Sequence, residues 1–203
     1  MSAVTDSING AVRRVPPWVI YLGGAAYAGW QFWRGINGQL GPDPVNKLEH
    51  IYGEAGLYLL VAGLAVTPLR ERLRINLLRF RRAIGVTCFA FAAVHLAVYA
   101  LLDVQSLGRV WADVVKRPYI TVGMLAFVLL LPLAVTSNNL SLRRLGGAAW
   151  RQLHKLVYPA AILVGLHWLW LAKGFRLEPI LWLTAILLLL ALRIRPARRF
   201  RPA

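Results

Sequence analysis

Four histidines are the residues of this chain best suited to bind a redox cofactor: His50, His95, His154 and His167. Three of them lie within long apolar stretches, and His50 precedes one. A histidine in hydrocarbon is costly without a partner, so it either serves function or bonds to a neighbouring helix. Because neutral imidazole is also an axial ligand of haem iron, the pattern predicts a haem-type site or polar contacts between helices.

Depth along the predicted helices pairs two of these histidines. His95 comes 12 residues after Ala83, and His167 comes 14 residues after Leu153. At ~1.5 Å per residue these separations correspond to ~18 Å and ~21 Å. Both stretches are predicted to run outward from the cytoplasm, so the two imidazoles should reach one level in the outer half of the membrane. We therefore expect His95 and His167 to take one haem iron between them.

His154 is predicted to lie at the cytoplasmic end, ~19.5 Å below His167, where a second haem could bind. Thirteen residues of ideal helix turn His154 ~140° away from the face of His167, and a kink at Pro159 is one way to realign them. The third stretch has no histidine at that depth and carries Arg81 and Arg82 instead. Arginine is a natural partner for a haem propionate or a flavin phosphate.

Three other residues carry groups that could take part in chemistry. His50 stands at the outer mouth of the second stretch, where water is available, and is expected to bind no cofactor. Glu54 is either a proton-relay or quinone-contact group, or an interfacial carboxylate that reaches toward water. Cys88 is the single cysteine, which excludes an internal disulfide and a cysteine metal cluster and predicts a small buried residue.

Six apolar stretches must position these groups. A segment of ~20 residues crosses ~30 Å of hydrocarbon as a helix, and lipid offers no other partner for backbone amides. Alternating apolar and polar residues, the mark of a spanning strand, do not occur in them. The sequence thus predicts an all-α membrane bundle of six transmembrane helices, at residues 18–33, 51–69, 83–102, 119–136, 153–172 and 179–194.

The basic residues predict the orientation of this bundle. The chain has 24 Lys plus Arg against 8 Asp plus Glu, a net charge of +16. The basic residues gather in short clusters between alternate apolar stretches. This pattern is typical of loops that stay in the cytoplasm and argues against nucleic-acid binding. Both termini are therefore expected in the cytoplasm, with tails at 1–17 and 195–203 around a transmembrane domain at 18–194. Arg13 and Arg14 precede an uncleaved first span in this interpretation.

Four segments carry a resemblance to a known family. The chain resembles the haem-binding membrane subunits of bacterial periplasmic methionine sulfoxide reductase systems, within the ferric-reductase-like transmembrane superfamily that includes the NADPH oxidases. The segments are HIYGEAGLYLLVAGLAVTPLRERL from His50, RRAIGV from Arg81, KRPYITVGMLAFVLLLPLAVTS from Lys116, and WRQLHKLVYPAAILVGLHWLW from Trp150. They cover most of the chain between His50 and Trp170.

The resemblance implies a function in the bacterial inner membrane. It implies six helices, haem b, FMN as a further cofactor, and haem ligation at His95, His154 and His167. It also implies electron transfer from the quinone pool or a cytosolic flavin reductase to a periplasmic molybdenum-containing methionine sulfoxide reductase. NADPH oxidases have two histidines on the third span, whereas this chain has only His95, so the resemblance leaves open whether a second haem binds.

Three alternatives remain beside the electron-transfer hypothesis. A ferric or other metal reductase of the same superfamily would act on an external ion without a protein partner. A proton-coupled transporter would use the histidines as a relay and bind no haem. An assembly scaffold would tolerate substitution of all three predicted ligands.

Overall fold

The computed structural model describes residues 3–172 and 176–193. Within these residues every regular element is helical, so the predicted all-α class is confirmed there. The predicted tail 195–203 and the last residue of the sixth predicted stretch lie outside the described residues. The helices are α1 (Ala3–Arg14), α2 (Trp18–Ile36), α3 (Pro44–Arg72), α4 (Arg81–Val98), α5 (Leu107–Lys116), α6 (Pro118–Val135), α7 (Asn139–Leu153), α8 (Val157–Leu171) and α9 (Leu177–Ala191).

Each predicted apolar stretch lies largely on one helix, namely α2, α3, α4, α6, α8 or α9. Helix α4 continues through a π-helical turn at Tyr99–Asp103. By length and composition, three helical segments of the described chain are apolar enough to cross a membrane: Pro44–Arg72, Leu78–Asp103 and Pro118–Val135. Leu177–Ala191 is apolar but shorter. The chain therefore has the composition and helix lengths of a membrane protein.

Three further helices, α1, α5 and α7, lie outside the predicted apolar stretches. Apolar residues in these helices are interspersed with polar ones, and on α5 Leu107, Trp111 and Val115 form one apolar face at four-residue spacing. Helix α7 is interrupted at Gly146, whose φ of 74° requires a residue without a Cβ atom. Polar residues interrupt the apolar residues of these helices. The helices therefore do not stand out as long apolar stretches in the sequence.

Helices α3 and α4 form the centre of the bundle. The Cys88 thiol of α4 donates to the Gly56 carbonyl oxygen of α3 over 3.2 Å, and Cys88 is buried among apolar side chains, as predicted. The Tyr52 hydroxyl donates to the Ala28 carbonyl oxygen over 2.8 Å and ties α2 to α3. Small residues at these contacts let the helix backbones approach closely.

Helices α6 and α8 form the second closely packed pair. Ala160 of α8 is fully buried beside Leu130 and Leu133 of α6. The Trp150 indole Nε1–H donates to the Thr136 carbonyl oxygen over 2.9 Å, which satisfies an end carbonyl of α6 and holds α7 against it. The bundle therefore consists of two tight pairs, α3 with α4 and α6 with α8, and cavities lie where these pairs face one another.

Two adjacent glycines of α2 test how closely the helices pack. A Cβ atom at Gly24 would lie 2.5 Å from Cγ2 of Thr87, whereas one at Gly23 would have no atom within 4 Å. We expect Gly24→Val to push α2 away from α4, to lower the free energy of unfolding by about 1–3 kcal/mol, and so to lower the midpoint of thermal unfolding in detergent by roughly 2–12 °C. Gly23→Val is the matched control, because it changes helix propensity equally. Equal midpoints for the two variants would contradict the α2–α4 contact.

Candidate functional site

The structure brings His95 of α4 and His167 of α8 together. Their ring centroids lie 6.4 Å apart, with an angle of 77° between the ring planes. A metal ion in line between the two rings, bonded to one nitrogen of each at about 2 Å, would hold the two centroids about 6.3 Å apart. The observed separation therefore fits a metal centre held between the two imidazoles.

Backbone carbonyl groups of neighbouring helices orient both rings. His95 Nδ1–H donates to the Glu49 carbonyl oxygen of α3 over 2.8 Å, and His167 Nδ1–H donates to the Tyr119 carbonyl oxygen of α6 over 2.7 Å. Because a carbonyl oxygen can only accept, each Nδ1 carries the ring proton and each Nε2 keeps its lone pair. Metal-binding histidines in proteins are usually held in this way.

A glycine one helical turn after each acceptor makes room for the ring. Gly53 follows Glu49 by four residues, and Gly123 follows Tyr119 by four residues. A Cβ atom at Gly53 would lie 3.3 Å from Nδ1 of His95, and one at Gly123 would lie 2.7 Å from Nδ1 of His167. In a helix the carbonyl of one residue points toward the residue four positions later, so a side chain there would block the approach of the imidazole.

The pair of histidines lines a cavity of about 330 Å³, here called the outer cavity. Its walls are mostly apolar. Polar and charged side chains also line it, among them Asn46, Glu49, His50, Glu54, Asp103 and Arg117. Among the described residues no group of three or more histidine, cysteine or acidic side chains could hold a bare metal ion. A metal that brings its own macrocycle needs only two axial ligands, and two imidazoles are what this cavity offers.

His154 does not join this pair. It lies in a 3-10 turn at His154–Leu156 between α7 and α8, so no single regular helix connects it to His167. The local unwinding that Pro159 could cause lies just before it. A proline cannot donate to the carbonyl four residues earlier, here that of Lys155, and its ring crowds that carbonyl. Lys155 is the middle residue of the 3-10 turn, and α8 begins directly after the turn.

His154 instead lines a second cavity of about 530 Å³, here called the inner cavity. Its Nδ1–H donates to the Trp150 carbonyl oxygen over 3.0 Å, and its ring stacks on the Trp150 indole at 3.7 Å between centroids. Its Nε2 atom is buried without a hydrogen-bond partner among the described residues. An unpartnered buried nitrogen is costly, so this atom is suited to bind a ligand.

Arg81 and Arg82 both line the inner cavity, but they differ in their contacts. Nη1 of Arg82 donates to Oδ1 of Asn139 over 2.9 Å at the surface. Arg81 lies near enough to Arg193 for the two positive charges to repel each other. An anion bound in the cavity would relieve that repulsion, which makes Arg81 the better placed of the two predicted arginines.

Arg193 was missed as a site residue from the sequence, where it is one of a basic cluster after the last apolar stretch. Its Nη2 donates to the Leu64 carbonyl oxygen over 2.6 Å, and its guanidinium lies 5.6 Å from the ring of Tyr158. Its Nε atom is buried without a partner among the described residues. No local signal marks Arg193, since only the packing of α9 against α3 brings it to the inner cavity.

Glu49 was also missed, because Glu54 is the acid farther inside the apolar stretch. Both residues line the outer cavity, and Oε1 of Glu49 is buried without a hydrogen-bond partner within the described part of the chain. His50 lines the same cavity, but its Nδ1–H donates to the Asn46 carbonyl oxygen of its own helix over 2.9 Å. A glycine four residues after Glu49 leaves the Glu49 carbonyl open to a side chain from another helix. This spacing is the sequence signal that could have identified the acceptor for His95.

Comparisons with known proteins agree with this architecture. The family model described as "Ferric reductase like transmembrane component" matches residues 52–165. Proteins named protein-methionine-sulfoxide reductase heme-binding subunit MsrQ from Brucella ovis, Brucella canis and Brucella abortus are each 43% identical over 186 residues, which cover 91% of this chain and 84% of theirs. No solved structure matches the chain significantly. The resemblance seen in the four sequence segments is thus confirmed, and the chain belongs to the MsrQ family of ferric-reductase-like transmembrane proteins.

Proposed function

We propose that this chain is a membrane electron-transfer subunit that binds b-type haem between His95 and His167. The observation that carries the proposal is the pair of rings 6.4 Å apart, each held through Nδ1 by a backbone carbonyl of another helix. Bound haem iron supplies one-electron chemistry by alternating between its ferric and ferrous states. The protein supplies two Nε2 ligands in fixed orientation and a largely apolar cavity around them.

The proposed topology has six transmembrane helices, α2, α3, α4, α6, α8 and α9, in a domain at 18–194. Both tails, 1–17 and 195–203, and the inner cavity then face the cytoplasm of a bacterium, and the outer cavity lies toward the periplasm. The segregation of charge supports this orientation. Four arginines line the inner cavity, whereas three carboxylates, Glu49, Glu54 and Asp103, and one arginine, Arg117, line the outer one.

The inner cavity is proposed to hold a second, anionic cofactor, either another haem or FMN. The unpartnered Nε2 of His154 suits a metal or a ring substituent, and Arg81 and Arg193 suit a propionate or a phosphate. Arg82 contributes positive charge from the edge of the cavity while its side chain bonds to Asn139. The side chains of Leu60, Cys88 and Leu130 line both cavities, so the two sites adjoin within one bundle.

The proposed partners follow from the family. The names of the Brucella relatives describe heme-binding subunits of a methionine sulfoxide reductase. We therefore infer that the acceptor is a periplasmic, molybdenum-containing methionine sulfoxide reductase that docks on the outer side. The proposed donor is either the quinone pool or a cytosolic flavin reductase, and the arginine-lined inner cavity favours a cytoplasmic donor with an anionic cofactor.

Substitution of the paired histidines tests the haem site. The purified protein is expected to show a reducible b-type haem spectrum, and His95→Ala or His167→Ala should abolish the signal of the outer haem because one axial ligand is lost. His50→Ala is the matched control, since it removes an imidazole from the lining of the same cavity and should leave the spectrum unchanged. Haem retained in full by the His167→Ala variant would refute the pair, and a colourless wild-type protein would favour the haem-free transporter.

Substitution of the glycines tests how the ligands are held. Gly123→Ala places a methyl group where the ring of His167 packs, so haem affinity should fall roughly 10–100-fold, as for other losses of support around a ligand. Gly29→Ala, at a helical glycine with no atom within 4 Å of an added Cβ, should leave haem affinity unchanged. Haem titration of the apoprotein gives both affinities. Equal affinities would show that the glycine is not needed for the ring to reach the Tyr119 carbonyl.

Substitution of the two neighbouring arginines tests the inner cavity. Arg81→Gln should weaken the second cofactor about tenfold, the effect of one charge-assisted hydrogen bond, and should leave the outer haem in place. Arg82→Gln should have a smaller effect because that guanidinium is bonded to Asn139. Haem and flavin contents per protein measure both outcomes. Equal loss of both cofactors in the Arg81→Gln variant would contradict two separate sites.

A further inference from the structure

A third cavity, here called the arginine cavity, lies beside the inner cavity and shares Leu78 and Arg79 with it. It measures about 440 Å³. Four arginines line it, and they come from three separate segments: Arg13 of α1, Arg70 at the end of α3, and Arg74 and Arg79 of the connection to α4. The remaining lining residues are Asn9, Val12, Asn76 and Leu78, so no carboxylate contributes to the described wall.

Hydrogen bonds to Asn9 fix α1 against the connection between α3 and α4. The side-chain amide of Asn9 donates to the Arg74 carbonyl oxygen over 3.0 Å, and its oxygen accepts from the Asn76 backbone N–H over 2.9 Å. The cavity is therefore a built feature of the fold, with walls that are distant in sequence and joined by specific contacts.

The four arginines have two different roles in this cavity. Nη1 of Arg79 donates to the carbonyl oxygens of Arg13 and Val12, over 2.6 Å and 3.2 Å, and so holds α1 in place. The guanidinium groups of Arg13, Arg70 and Arg74 have no hydrogen-bond partner among the described residues. These three exposed guanidinium groups concentrate positive charge around one cavity, which favours the binding of an anion.

The backbone of Arg74, which lines the cavity, has an unfavourable conformation. Its φ is 58°, a left-handed conformation that residues with a side chain adopt rarely. Glycine would fit this conformation without strain. An arginine here brings a guanidinium to the cavity at the expense of local backbone strain, a pattern that is concentrated at binding sites.

We propose that the arginine cavity binds the phosphate of an anionic phospholipid headgroup. The planar guanidinium fork matches phosphate oxygens, and basic pockets at the cytoplasmic ends of transmembrane helices are suited to such headgroups. Val12 and Leu78 add apolar contacts beside the charges, which a lipid uses and a free phosphate does not. The choice of leaflet rests on the topology given under Proposed function, which puts this end of the bundle in the anionic cytoplasmic leaflet.

The competing explanation is that the arginines attract anionic lipids through their charge alone and form no specific site. Basic loops are retained in the cytoplasm whether or not they bind a ligand. It predicts that any set of arginines at this end of the bundle has the same effect on lipid binding. Helix α7 provides the comparison, because Arg143, Arg144 and Arg151 are exposed and line none of the arginine cavity.

Native mass spectrometry of the full chain in detergent tests the site, with titrations of phosphatidylglycerol, phosphatidylcholine and inorganic phosphate. The wild type is expected to retain one phosphatidylglycerol more tightly than any phosphatidylcholine. The triple variant Arg13→Gln, Arg70→Gln, Arg74→Gln should bind that lipid at least about tenfold more weakly, as expected for losing several charge-assisted hydrogen bonds. The triple variant Arg143→Gln, Arg144→Gln, Arg151→Gln loses the same charge and should bind it like the wild type.

A single variant tests whether misfolding, rather than loss of the site, weakens lipid binding. Arg74→Gly removes one guanidinium and relieves the left-handed backbone, so it should fold at least as stably as the wild type and still bind phosphatidylglycerol more weakly. Equal lipid loss in both triple variants, equal retention of the two lipids, or an Arg74→Gly variant with wild-type lipid binding would overturn the proposal.

Two further readouts separate the remaining explanations. Inorganic phosphate that displaces phosphatidylglycerol at equal concentration would overturn the lipid assignment in favour of a soluble phosphate. The haem absorbance of the same samples reports on the proposed function separately, because none of the substituted arginines lines the outer cavity. A wild type without haem would refute that function and leave the lipid result to stand on its own.

Discussion

The hydrogen bond from each imidazole Nδ1–H to a backbone carbonyl is the interaction on which the candidate haem site depends. A histidine ring buried between helices must satisfy its polar N–H, and the only groups always present on a neighbouring helix are carbonyl oxygens. His95 and His167 both use this solution, on α3 and α6 respectively. The bond fixes the tautomer and the direction of each ring, and so leaves both Nε2 atoms available as ligands.

Small residues make this interaction possible. An imidazole from another helix comes close to the acceptor helix at these two carbonyls, and the residues one turn later, Gly53 and Gly123, leave room for the ring. Gly56 of α3 and Ala160 of α8 let the helix pairs α3–α4 and α6–α8 pack closely elsewhere along their length. Small residues therefore serve both helix packing and the support of the two rings, although α3 and α6 carry neither ring.

The cavities of the bundle differ in the charge of the side chains that line them. The outer cavity contains a pair of imidazoles, with carboxylates and Arg117 also in its lining. The inner cavity and the arginine cavity are lined by guanidinium groups, several of which have no partner among the described residues. Neutral ligands suit a metal centre and uncommitted cations suit phosphates or propionates, so the two ends favour different groups on the same helices.

The sequence by itself determined the helical class, the membrane character, the buried state of Cys88 and the closeness of His95 and His167. These properties depend on composition, run length and a fixed rise per residue, which are local. Only the tertiary structure decided which backbone carbonyls accept hydrogen bonds from the two rings. It also decided that His154 lines a different cavity and that the Arg193 side chain donates to a carbonyl of α3. Those facts depend on how helices distant in sequence pack together, and neither spacing nor periodicity along one helix encodes the position of its neighbours.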